Sequence, residues 1–150
     1  MPAMMEASKI SSKAAHVGFD WPEIEGLFEK LAEETQELQE NIKELPAGAL
    51  KARSNSQVPD ELRARIEDEV GDLFFVMVNI ARYLSLDPES ALRKTNRKFK
   101  RRFHWIEEQL RASGRGPEQA SMTELESLWQ EAKRQDRDQD KELENGREAG

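Results

Sequence analysis

Apolar residues recur along the chain at three- and four-residue intervals and do not alternate strictly with polar ones, so the pattern predicts helices rather than strands. Residues 3–15 read as a short first helix, ended near Gly18. A second helix is predicted from Pro22, a favoured first helical residue, behind Asp20 and Trp21. Its Ile24, Leu27, Phe28, Leu31, Leu38, Ile42 and Leu45 mark one face, and Pro46 and Gly48 stop it. Residues 46–58 read as an irregular loop. Pro59 opens a third helix that should run to about Leu84. Asp87 and Pro88 then read as the N-cap and first residue of a fourth helix. Its apolar residues Leu92, Phe99, Phe103, Ile106 and Leu110 carry it to about Ala112. Gly114, Gly116 and Pro117 form a break, and Thr123 with Glu126 suits a capping box for a last helix bearing Leu125, Leu128 and Trp129. From Glu131 onward the residues are almost wholly polar. The expected organisation is one domain over 1–133 followed by a disordered polar tail over 134–150.

The third helix is unusual. At roughly 100° per residue, the run LFFVMV at 73–78 is apolar on every side. A helix of that kind must be enclosed by others, and four or five short helices struggle to enclose it. A bundle shared between two copies of the chain resolves this, so a homodimer is expected.

Composition removes several function classes. The chain has 150 residues, a net charge of −7, no cysteine and two histidines. Disulfide frameworks, zinc–thiolate sites, iron–sulfur clusters and cysteine nucleophiles are excluded. The longest apolar run falls far short of the roughly 20 residues a membrane helix needs. The start, MPAMMEASKISSKAA, has no apolar core of a secretory signal. The expectation is a cytoplasmic protein with neither nucleic acid nor membrane as partner.

Charge position says more than net charge. Glu69 and Asp72, spaced i, i+3, stand just before the apolar run, and Asn79 lies further along the same side. Carboxylates at the mouth of a buried helix cost free energy unless a cation compensates them. Glu34 and Glu37 repeat the spacing on the second helix, with Glu34 at the edge of the apolar stripe. Two such pairs present oxygens of the kind Mg²⁺ prefers. A solvated acidic face is the competing explanation, since Glu29, Glu33, Glu40 and Glu44 share that helix. A di-iron carboxylate bundle wants Glu-x-x-His on two helices. Lys13 and Arg101 stand where its glutamates would be, three residues before His16 and His104. Seven bases lie between Arg93 and Arg102, and Lys98 and Arg102 can point the same way. Acids that hold a metal, together with a cationic clamp, suit a polyphosphate substrate.

These stretches resemble a known family. KAAHVGFDWPEIEG (13–26), EETQEL (33–38), EDEVGDLFFVMVNIARYL (67–84), DPESALRKTNRKFKRRF (87–103) and ELESLWQEAK (124–133) are similar to MazG-type nucleoside triphosphate pyrophosphohydrolases of the all-α NTP-pyrophosphatase superfamily, most of all to the C-terminal MazG domain of tandem members. The resemblance implies an all-α MazG-like bundle of four to five helices completed by homodimerisation. It implies hydrolysis of nucleoside triphosphates to the monophosphate and pyrophosphate with Mg²⁺, for which Mn²⁺ can substitute. Carried over, the metal-binding carboxylates are Glu34, Glu37, Glu69 and Asp72, with Glu33 as an outer partner or base. Lys98 and Arg102 match positions that contact the triphosphate, and Asn79 and Trp129 match positions tied to substrate or activity. The implied reaction is metal-assisted attack of water on the α-phosphorus, with Lys98 and Arg102 stabilising the departing pyrophosphate. The 31 residues between Glu37 and Glu69 exceed the family's usual spacing, and the excess fits the 46–58 loop. Two further readings stay open. One is a phosphoribosyl-ATP or dUTP/dCTP-type pyrophosphohydrolase of the same superfamily. The other is a non-enzymatic helical dimer acting as an interaction module.

Overall fold

The computed structural model describes residues 1–52 and 57–149. All its regular elements are helical, as the apolar spacing predicts. They are α1 (Ala3–His16), α2 (Ile24–Lys43), α3 (Ala49–Ala52), α4 (Asp60–Tyr83), α5 (Pro88–Arg111), a short 3-10 turn (Pro117–Gln119) and α6 (Met122–Glu148). Among the described residues there are thus six α-helices, against the four to five expected. The addition is α3, a single turn inside the stretch read as a loop; positions 53–56 of that stretch lie outside the described residues. The chain divides into two compact units, Met1–Ala91 and Leu92–Gly150, where the sequence reading has one domain over 1–133. The division falls in the first turn of α5.

In the first unit α2 and α4 pack antiparallel. Arg82 of α4 meets Asp20 just before α2, Leu27 meets Val76 and Ile80 in the middle, and Arg65 reaches Asn41 and Glu44 at the far end. Leu27 is fully buried, and Trp21, Ile24, Leu31 and Tyr83 cover the cluster it forms. Gly26 leaves room for the Trp21 ring, since a Cβ there would stand 3.2 Å from Trp21 Cδ1. Helix α1 packs on another side of α4, where Asn79 Nδ2 donates to Ser11 Oγ at 3.1 Å. The run at 73–78 is only half enclosed within this unit. Val76 and Val78 are buried, whereas Phe74 is 57% and Met77 50% exposed.

The helix ends show which local signals dominate. Gly18 takes φ +89° beyond α1, a conformation glycine adopts without strain. Helix α2 starts at Ile24 rather than Pro22. Glu23 is extended, and Asp20 spends its carboxylate on the Trp21 amide (2.9 Å) and the Arg82 guanidinium instead of capping a helix. Asp87 caps α5 as predicted, accepting from the Glu89 amide at 3.2 Å and from Ser90 Oγ at 2.7 Å. The cap of α6 is Ser121, which accepts from the Glu124 amide at 3.1 Å, in place of Thr123.

In the second unit Ile106, Leu110 and Ala132 are buried, and Phe99 stacks beside Phe103 and against Trp129. Helix α6 continues to Glu148, through residues expected to form a disordered tail. The anchors are a buried Ala132, the Glu131–Arg134 pair within the helix, and Asp136, which accepts from both Arg101 and Arg102 of α5. A polar stretch becomes helical when tertiary partners hold one of its faces.

Candidate metal centre

The antiparallel α2–α4 seam sets the site. One helical turn separates Glu34 from Glu37 on α2, and Glu69 faces them from α4. One oxygen from each of these three carboxylates lies within 4.8 Å of the others. Glu34 is 4% exposed, Glu69 is half-buried and Glu37 opens to solvent. Glu34 Oε2 and Glu69 Oε2 are both buried, and no donor among the described residues reaches either. Buried carboxylate oxygens without donors are costly, and facing each other they are costlier still. A hard divalent cation with oxygen ligands answers both demands, so the residues fit Mg²⁺ or Mn²⁺ on chemical grounds.

One cation of the chain already serves the cluster. Lys30 Nζ lies 2.8 Å from Glu34 Oε1 and 3.5 Å from Glu33 Oε1. The Lys30 ammonium holds the Glu34 carboxyl below its ordinary value of 4.5, and the Glu34 carboxylate raises Lys30 in return. Glu69 has no such cationic partner among the described residues. Its hydrogen-bonding neighbour Glu34, burial and then Glu37 push it from 4.5 up to about 7.

A folded-state pKa raised in this way gives a signed pH dependence. Glu69 favours the folded state while protonated, so its contribution is full below 4.5 and is lost as pH rises through about 7. Glu34, Asp20, Glu124 and Asp136 are all lowered and act below their ordinary values of 3.8–4.5, outside this window. In chelator, the melting temperature should therefore fall between pH 5 and pH 8. Saturating Mg²⁺ should cancel the fall, because bound metal displaces the Glu69 proton. Melting curves at several pH values, with EDTA and with Mg²⁺, check this; a metal-independent slope would count against Glu69 as a ligand.

Other residues singled out from the sequence take different places. Asp72 is exposed and lies outside the three-carboxylate group. Glu33 also faces solvent, beside Lys30. Asn79 is fully buried; besides Ser11, its Nδ2 donates to the Phe75 carbonyl at 3.0 Å, and its Oδ1 accepts from Arg82 Nε at 3.2 Å. It lines a cavity of about 320 Å³ together with Ser11, Ala14, Phe19, Asp20, Trp21, Pro22, Phe75 and Arg82. Lys98, Arg102 and Trp129 belong to the second unit. There Lys98 is exposed, and the Arg102 guanidinium lies 5.5 Å from the centre of the Trp129 ring. Sequence reasoning missed Lys30, although its i, i+4 relation to Glu34 was a usable signal. It also missed the Asp20–Arg82 pair, which no spacing announces.

Fold and site together define a class of all-α proteins that gather carboxylates from two facing helices. Residues 23–106 match the family profile of the MazG nucleotide pyrophosphohydrolase domain. The chain belongs to that family. It is 40% identical over 133 residues to the nucleoside triphosphate pyrophosphohydrolase/pyrophosphatase MazG of Thermotoga maritima, covering 89% of this chain and 45% of that protein. It is 36% identical over 138 residues to the nucleoside triphosphate pyrophosphohydrolase of Escherichia coli K12, covering 92% of this chain and 47% of that protein. It is also 40% identical over 82 residues to the uncharacterized protein YabN of Bacillus subtilis, covering 55% of this chain and 16% of that one. The chain spans about half the length of the first two relatives. Among the described residues, no helix is long and apolar enough to cross a membrane.

Proposed function

We propose that this chain hydrolyses nucleoside triphosphates to the nucleoside monophosphate and pyrophosphate in a Mg²⁺-dependent reaction, as an enzyme of nucleotide-pool house-cleaning in the cytoplasm. The observation that carries the proposal is the gathering of Glu34, Glu37 and Glu69, with two buried oxygens left without donors. The names of the Thermotoga and Escherichia relatives agree with it.

Glu34, Glu37 and Glu69 hold the cation, and Asp72, one turn beyond Glu69, joins them from the exposed side. When bound, Mg²⁺ supplies positive charge to polarise a water and phosphate oxygens. The water oxygen bonds to the α-phosphorus, the bond from that phosphorus to the α–β bridging oxygen breaks, and pyrophosphate departs. Glu33, at the open edge, takes the proton that the water loses. Lys98 and Arg102 neutralise charge on the departing β and γ phosphates. The cavity beside Asn79, with Phe75 and Trp21 in its wall, offers aromatic surface to a nucleobase. Trp129 backs Arg102. The exposed Phe74 and Met77 of α4 support a homodimer that covers them.

A pyrophosphate-release assay across natural and damaged NTPs and dNTPs, with and without Mg²⁺, tests the reading. The expected result is metal-dependent release from at least one of them. Release from none would sink the enzyme assignment and leave the helical interaction module; release from phosphoribosyl-ATP alone, added to the panel, would move the chain to that branch of the superfamily.

A further inference from the structure

Asp136, in the polar stretch of α6, has no part in the reaction proposed above. Its carboxylate, 17% exposed, accepts from Arg101 Nε at 3.2 Å and Arg101 Nη2 at 2.9 Å, and from Arg102 Nε at 2.6 Å. Arg101 is thereby held through one whole edge of its guanidinium. Arg102 is held through Nε alone. Its side chain is 13% exposed, its Cζ lies over the Trp129 ring at 5.5 Å from the centre, and no hydrogen bond among the described residues occupies its two terminal nitrogens. A guanidinium held at Nε and set over an aromatic ring has lost much of its rotational freedom. Its terminal N–H groups then form a rigid fork, the geometry that binds phosphate oxygens in pairs.

We propose that Asp136 is a positioning residue that orients the Arg102 guanidinium for a polyphosphate chain. The proposal rests on the reading of Arg102 as a triphosphate contact, and it assigns a role to a residue in the region expected to be a disordered tail. Arg101 and Arg102 hold the Asp136 carboxyl below its ordinary value, so it remains ionised throughout the working range.

The sign of the effect separates orientation from charge. A carboxylate near an anion-binding fork repels the anion, so its removal should tighten binding if charge alone mattered. Orientation predicts the opposite. Binding of inorganic tripolyphosphate to the full chain in Mg²⁺, measured by calorimetry, reads the difference. Asp136→Ala should weaken it about 10-fold, and Asp136→Asn, which keeps the size and one acceptor, should weaken it less. Arg102→Ala should lose as much as Asp136→Ala. The double variant should lose no more than Arg102→Ala alone, because the two residues act as a unit. The KM for a hydrolysed triphosphate should rise by a similar factor, and the melting temperature serves as the folding control. If Asp136→Ala fails to fold, Asp136→Asn carries the test.

Unchanged or tighter tripolyphosphate binding in the Asp136 variants, additive losses in the double variant, or no binding by the wild type would each overturn the proposal. A wild type that binds tripolyphosphate but releases no pyrophosphate from any nucleotide would instead overturn the enzymatic reading and leave this one standing.

Discussion

Glu69→Ala is expected to lower pyrophosphate release by about 10³-fold or more while leaving the protein folded. Metal-ligand carboxylates act through charge held in place at the moment of reaction, so the loss should appear mainly in kcat. Folding should be spared, and in chelator above about pH 7 even favoured. There the ionised Glu69 carboxyl is crowded by Glu34 and Glu37, so removing it relieves repulsion. The informative measurements are turnover, a calorimetric Mg²⁺ titration and thermal melting with EDTA. A folded Glu69→Ala variant with near wild-type turnover would show that the metal assignment is wrong.

Leu27→Ala should be the most damaging single truncation to stability. Leu27 has no exposed surface and packs between Val76 and Ile80, at the centre of the seam that carries the acids. Loss of a fully buried leucine costs about 3–4 kcal/mol, from lost transfer free energy and the cavity left behind. For a chain of this size that is a drop of roughly 10 °C in melting temperature. Leu50→Ala, at a residue 67% exposed, should change stability by no more than about 0.5 kcal/mol. Because the seam also holds Glu34 and Glu37 opposite Glu69, Leu27→Ala should weaken Mg²⁺ binding while keeping every ligand. Equal melting temperatures for the two variants would displace Leu27 from the centre of the core.

Much of this was legible before any coordinates. Local signals announced themselves: Gly18 beyond α1, Asp87 before Pro88, and the apolar spacing of α2. The facing of Glu34 and Glu69 was also readable, because an acid at the edge of an apolar stripe has to meet the neighbouring helix. The departures come from long-range partners. Asp20 sits at a helix entrance but serves Arg82, 62 positions away. Asn79 reads as lying on the side of Glu69 and Asp72, and no spacing announces that Ser11 and Arg82 bond its side chain. Asp136 lies in a stretch whose composition reads as solvated, and only Arg101 and Arg102 of another helix give it a place. Glu33 and Asp72 share helical turns with residues of the cluster and are exposed, at its open side.

The Lys30 ammonium against Glu34 bears on how the chain would meet the proposed cation. Many small metal sites collapse when stripped, because nothing else neutralises their ligands. Here a tethered monovalent cation occupies one flank of the most buried acid. On the proposed reading, loading would resemble the working of an ion-exchange resin, one counter-ion yielding to another on a fixed anionic matrix. A centre built on that plan would empty and refill with the surrounding Mg²⁺ concentration while Lys30 keeps its most buried acid paired.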